Sequence, residues 1–269
     1  MARSLPSRAV TAFNTATDSE NKIHDDQVAG RLGFRGGLVP GVDVYAYLCH
    51  AALELWGERW LAEGTGTVRF DQPVYDGEAV EIRAELDDDG VLVCEAHTSG
   101  GRRARLAAAL TDGDAPLHIL VPSIPAADRP RTRPSASPEL FADHLVLGSL
   151  RVRCDDDEHE RYLSDIGDPD SPTTVWGACH PGWVLRRANQ VLVASVALGP
   201  WIHAGSTVQH LRPVGRGREL EVRARVREAS EHKGHRFVDL DVVLSDDDGA
   251  LVVIDHRVIY QPRQLRPDS

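Results

Sequence analysis

The chain has 269 residues, of which 42% are hydrophobic and 26% charged, an ordinary composition for a globular protein with a sizeable core. Its net charge of −11 argues against sequence-independent nucleic-acid binding and against an anionic membrane surface, both of which need a basic face. Cys49, Cys94, Cys154 and Cys179 are far apart and form no C-x-x-C pair, so they are expected to be reduced, buried thiols rather than a zinc site or a disulfide framework. The N-terminus lacks a long apolar run and no stretch approaches about 20 apolar residues, so the expected location is the cytoplasm, with no signal peptide and no membrane helix.

In chain order, the first notable segment is "DSENKIHDD" (18–26), which sets Asn21 three residues before His24. "GFRGGLVPGV" follows, and its Pro-Gly step opens an apolar helix expected from Gly41 to Trp56. Asp43, Tyr47, His50 and Glu54 share one face of that helix and read as a polar or interface stripe. Period-2 strands come next: "AVEIRAEL", "VLVCEAH" and "ARLAAAL". A segment rich in Pro, Ala and Arg, 114–138, reads as a linker. The acidic run "DDDEHE" (155–160) reads as a solvated face. A second Pro-Gly step opens a helix expected over Gly182 to Val196, followed by strands "ELEVRARV", "FVDLDVVL" and "LVVIDHRVIY". "DDDG" at 87–90 and at 246–249 reads as a pair of turns, because Asp and Gly tolerate the backbone angles required.

The second half copies the first. "TVRFDQPVYDGEAVEIRAEL" (67–86) lies over "TVQHLRPVGRGRELEVRARV" (207–226) at a constant offset of 140, with eight of twenty residues identical. "GLVPGV" (37–42) answers "ACHPGWV" (178–184) with one residue of slippage. A long helix followed by successive antiparallel strands, twice over, predicts an α+β protein with each helix wrapped by a sheet. The expected division is 1–113, a linker 114–138, and 139–269.

The segment before the first helix resembles the MaoC-like, (R)-specific enoyl-CoA hydratase family, whose signature is D-x-N-P-x-H followed by a small residue and a Gly at the helix start. Asn21, His24, Ala29 and Gly41 fill those places, while Lys22 replaces the Pro and Ser19 replaces the Asp. Asp18 and Glu20 flank position 19 out of register. The second half has no N-x-x-H. The resemblance implies a tandem, double hotdog fold in which one half keeps the chemistry and the other walls the acyl pocket. It further implies hydration or dehydration of acyl-CoA or acyl-carrier-protein thioesters, with His24 as base and Asn21 as the group that orients it or the water. Ser19 and Asp18 stand where the missing carboxylate would act, and a Ser cannot serve as a base at neutral pH. Gly41 would offer its backbone N–H to the thioester oxygen. Val39 and Tyr45 would line the substrate pocket, and His180, which the repeat sets opposite Val39, would face the same groove. Arg31, Arg35 and Arg69 are candidate phosphate contacts.

Two other readings share these residues: a hotdog thioesterase or other lyase that uses His24 to direct water, and an acyl-binding module without catalysis. No G-x-S-x-G, Walker or G-x-G-x-x-G pattern is present, so no serine hydrolase, nucleotide cofactor or metal is expected. Two such units in one chain are compatible with a monomer or a homodimer.

Overall fold

A computed structural model describes residues 2–111, 121–142 and 145–265. Residues 114–120 of the expected linker lie outside the described residues. Strands are β1 (Arg3–Ser4), β2 (Arg8–Thr11), β3 (Gly64–Phe70), β4 (Ala79–Leu86), β5 (Leu92–Thr98), β6 (Gly101–Leu110), β7 (Leu150–Val152), β8 (Ile202–His210), β9 (Leu220–His232), β10 (His235–Asp246) and β11 (Gly249–Gln261). Helices are α1 (Asp26–Arg31), α2 (Gly41–Trp56), α3 (Glu58–Glu63), α4 (Pro138–Ala142), α5 (Asp156–Asp165), α6 (Thr173–Trp176) and α7 (Pro181–Ser195).

The strands form one antiparallel sheet in the order β1-β4-β5-β6-β3-β8-β11-β10-β9-β7, with β2 also on β4. Alternation drives the outer strands: β4 reads exposed, buried, exposed, buried along "AVEIRAEL", with Val80, Ile82 and Ala84 turned to the core. The two halves meet where β3 pairs with β8. In that ladder Thr67 lies opposite Thr207, its counterpart in the repeat, and their hydroxyls are 3.0 Å apart. A local two-fold axis therefore passes between these two residues and relates the halves. Neither strand was expected from the sequence. Their inner stretches, "GTGTVRF" and "IHAGSTVQH", carry Gly and Thr in place of a clean apolar alternation.

Helices α2 and α7 lie against the sheet and against each other, α2 over β4, β5, β6 and β8, and α7 over β9 and β11. Each begins at its Pro-Gly step, as the sequence predicts. Their close approach depends on Gly182, where a Cβ would fall 2.6 Å from Ala46 Cβ and 3.1 Å from Val42 O. Buried Asp43 of α2 accepts from Arg186 Nη2 of α7 at 2.6 Å and from Thr15 Oγ1 at 2.6 Å, which ties the helices to the N-terminal segment. Asp43 and His50 of the polar face thus meet second-half residues, Arg186 and Asp168, whereas Glu54 is exposed. All four cysteines are buried and unbridged. Among the described residues no helix is long and apolar enough to cross a membrane.

Candidate active site

The motif loop becomes a short 3-10 turn, Lys22–His24, capped by Asn21, whose Oδ1 accepts from Ile23 N at 3.3 Å. The rest of the Asn21 amide reaches across to the second half. Oδ1 accepts from Trp201 N at 3.1 Å and Nδ2 donates to Trp201 O at 3.0 Å, so Asn21 pairs with that backbone like a strand neighbour. This double bond fixes which end of the amide is which and leaves one Nδ2 proton facing His24 Nε2 at 3.4 Å.

His24 is held at both ends. Asn14 Nδ2 donates to its carbonyl at 3.0 Å, and Nδ1 lies 2.6 Å from Leu38 O. A carbonyl oxygen only accepts, so Nδ1 carries the proton and Nε2 keeps its lone pair. Burial pushes the His24 pKa below the ordinary histidine value, partly offset by the Leu38 carbonyl and by the charge of Asp43. The imidazole is therefore a neutral base of fixed tautomer at pH 7.

Two adjoining cavities, of about 590 and 340 Å³, share Asn21, His24, Pro40, Asn189 and Trp201 in their walls. Thr15, Asp18, Ser19, Arg133 and Arg186 are among the walls of the wider. The narrower is mostly apolar, with Ile23, Phe34, Val44, Phe70 and Ile259 among its walls. Gly41 and Val39 line the narrower one. Gly41 is the first residue of α2, and its N–H has no acceptor within the helix. That donor and the positive end of a sixteen-residue helix lie in the wall of the narrower cavity, suited to an oxygen that gains negative charge.

The structure brings Asn21, His24, Gly41, Val39, Ser19 and Asp18 to these cavities. No carboxylate is hydrogen-bonded to His24 among the described residues. Ser19 Oγ donates to Asn21 O at 3.2 Å, and Glu20 is paired with Arg133 at 2.8 Å. Two expected substrate contacts are corrected. Tyr45 is fully buried and lines neither cavity, because it lies one turn further along α2 than Gly41 and is packed in the core. His180 caps α7: its Nδ1 accepts from Gly182 N at 3.1 Å, and its other edge faces Asp168, 3.9 Å away. Asp168 is in turn held by Arg8 at 2.9 Å and His50 at 3.3 Å. Among the described residues the corresponding place at Gly182 is closed, since Tyr162 of α5 places its hydroxyl 2.2 Å from where a Gly182 Cβ would sit.

Arg31, Arg35 and Arg69 are exposed and line neither cavity; Arg35 instead pairs with Glu78. The cations at the wider cavity are Arg133 and Arg186, which the sequence reading passed over. Two adjacent arginines inside the otherwise apolar helix "GWVLRRANQVLVASV" were the available signal, because buried charge requires a partner. Asn189, whose buried Oδ1 has no protein partner, and Trp201 also come from the second half.

No protein-family model and no curated protein sequence matches the chain. Solved structures do. A MaoC domain protein dehydratase of Chloroflexus aurantiacus superposes with a TM-score of 0.66 at 12% identity, over 97% of this chain and 95% of that one. A MaoC-like dehydratase gives 0.61 at 14%, over 97% and 98%. A conserved Mycobacterium tuberculosis protein described as a double hotdog gives 0.62 at 13%, over 96% of each chain. An oleoyl thioesterase of Lactobacillus plantarum gives 0.51 at 11%, over 97% and 98%. With its paired helices, its single antiparallel sheet and its internal two-fold, the chain has the double hotdog fold.

Proposed function

We propose that the protein is a MaoC-like hydratase or dehydratase of 2-enoyl and 3-hydroxyacyl thioesters carried on CoA or acyl-carrier protein. One observation carries this reading: His24 presents an unprotonated Nε2 to a cavity whose wall includes the N-terminus of α2 at Gly41. In the hydration direction, Nε2 removes a proton from water and the water oxygen bonds to the β-carbon. The alkene electrons pass to the thioester oxygen, which accepts from the Gly41 N–H. The imidazolium then returns the proton to the α-carbon, and dehydration is the reverse. Asn21 positions His24 and the turn that carries it. Asn189 Oδ1, a buried acceptor in the wall of both cavities, is suited to hold the second proton of the water. The acyl chain occupies the apolar cavity, and the carrier arm leaves past Arg133 and Arg186.

The lack of a carboxylate on His24 favours one second reading, in which His24 directs water at the carbonyl carbon and releases free thiol. Loss of enoyl absorbance from crotonyl-CoA and longer 2-enoyl-CoAs separates the two. Under the hydratase reading, turnover falls about 10²–10⁴-fold in His24→Ala and rises in Ser19→Asp, which puts a carboxylate at the motif position. Thiol release without alkene loss would transfer the assignment to hydrolysis. No turnover of either kind would refute both.

A further inference from the structure

The narrower cavity is open at the end away from His24. Around His24 its walls are buried residues, Asn21, Ile23, Val39 and Trp201. Asp71, Gln72 and Gln264 line it too, and all three are exposed, so they mark a mouth. The wider cavity reaches solvent elsewhere, at Asp18 and Glu20. The two together form a passage with His24 between two openings. An acyl chain in the narrower cavity therefore directs its far end at a second opening instead of a closed pocket.

Both walls give the same depth. On the first-half side, the Phe70 ring is 3.2 Å from the position a Cβ on Gly41 would take, and Asp71 and Gln72 follow Phe70 directly. On the second-half side, Ile259 pairs with Ile202 and with Phe237, and His235 stands two residues beyond Phe237. Two residues of extended chain span about 7 Å. An extended alkyl chain of 1.5 Å bonds advances about 1.3 Å per bond, so about five carbons cover that span. With the thioester carbon at Gly41 and the next two carbons beside Phe70, the mouth is reached at about the eighth carbon.

The mouth carries unused hydrogen-bonding groups. His235 Nδ1 accepts from Arg263 N at 3.2 Å, so the proton of the neutral ring is on Nε2. Burial and the positive charge of Arg263 lower the His235 pKa, which keeps the ring in that state at pH 7. The residue is half-buried in the cavity wall, and its Nε2 has no partner among the described residues and is not enclosed. Asp71 Oδ2 accepts from Arg102 Nε at 2.8 Å, which leaves Oδ1. Gln72 Oε1 accepts from Arg103 Nη1 at 2.5 Å, which leaves its N–H groups. Donors and an acceptor thus face the end of an otherwise apolar channel. A methyl terminus would use none of them, whereas a hydroxyl can donate to Asp71 and accept from His235. We propose that the substrates are acyl thioesters of about eight carbons whose far end carries an uncharged hydrogen-bonding group, in the simplest case a hydroxyl, and that His235 and Asp71 select for it. This inference rests on the thioester reading of the site, but not on which reaction follows.

The test is calorimetric titration of the full-length protein with octanoyl-CoA and 8-hydroxyoctanoyl-CoA, saturated thioesters that cannot be hydrated. The wild type should bind the hydroxylated thioester about 3–10-fold more tightly, the worth of one hydrogen bond. In His235→Phe, which keeps a planar ring without a donor, that preference should fall below about twofold while octanoyl-CoA still binds. Asp71→Ala should also reduce it, and serves if His235→Phe does not fold. Equal or weaker binding of the hydroxylated thioester, or a preference unchanged in both variants, would overturn the inference. Tighter binding of 7-carboxyheptanoyl-CoA than of 8-hydroxyoctanoyl-CoA would overturn the uncharged terminus. Failure of the wild type to bind either thioester would refute the thioester reading and the inference with it. A preference that depends on His235 in a protein that does not turn over 2-enoyl-CoAs would uphold the inference and refute the hydratase reading instead.

Discussion

Acidification from pH 8 to pH 5 should destabilise this protein strongly, and the magnitude follows from three histidines. His180, His203 and His210 are at most 6% exposed. Burial lowers their pKa values to about 3, 3 and 4 from 6.5. The folded values lie below the unfolded one, so each group contributes stability that is present above pH 6.5 and lost as pH falls towards the folded value. At pH 5 the unfolded chain has bound nearly one proton at each site and the folded chain almost none, a loss of about 2 kcal/mol per histidine. These three lose about 6 kcal/mol, a large share of the 5–15 kcal/mol typical of a folded domain, and buried His159 and His256, also lowered by burial, add to the loss. Asp168, held at about pH 2 by His50, His180 and Arg8 against the cost of its burial, does not oppose this. Its contribution is present above pH 3.8 and is lost only below that. The assay is urea unfolding at pH 8 and pH 5, followed by tryptophan fluorescence and far-ultraviolet circular dichroism. His210→Phe, which keeps an aromatic ring beside Trp60, should remove about 2 kcal/mol of the pH-dependent loss. A loss below about 1 kcal/mol in the wild type would refute the reasoning.

Two further outcomes concern the contact of the helices and the mouth of the site. Arg186→Leu leaves the Asp43 carboxylate buried with only Thr15 as partner and should cost about 3–5 kcal/mol, while the double variant Asp43→Asn, Arg186→Leu should recover most of it; equal costs in the single and double variants, read from urea midpoints, would show that the pair is not coupled. Gly41→Ala should leave stability within about 1 kcal/mol, because better helix propensity offsets a Cβ at 3.1–3.2 Å from His203 and Phe70, yet turnover should fall at least tenfold as the methyl crowds the oxygen site.

The parts of the site that lie close together in sequence were legible there. Asn21, His24 and Gly41 sit on one loop and the helix it enters, and the Pro-Gly steps marked both long helices. Strands β3 and β8 were hidden by their Gly and Thr residues, although the repeat that spans "TVRF" and "TVQH" runs through both. The contributions of Arg133, Arg186, Asn189, Trp201 and His203 were not legible, because they reach the cavities only when β8 docks on β3 and α7 on α2. Tyr45 and His180 failed for a related reason. A position in a helix or a repeat fixes a face of the element, whereas packing decides what that face meets.

The internal two-fold relates two places of which only one is open among the described residues. The symmetry offers two helix N-termini, at Gly41 and at Pro181–Gly182, and each glycine is closely approached by a side chain. At Gly182 the neighbour is the Tyr162 hydroxyl, which stands in the space itself and closes it. At Gly41 the neighbours are Phe70 and His203, which stand at the edge of a cavity and leave it open. The α5 segment that brings Tyr162 occupies the place before its helix that the His24 loop occupies before α2. Closing the second site allows the two helices to touch through Gly182 and Ala46, and it sets the Arg186 guanidinium over the Tyr162 ring at 4.8 Å, within reach of Asp43. The half without the motif therefore holds α2 in place, and through Trp201 and His203 it also forms one side of the site that α2 opens onto.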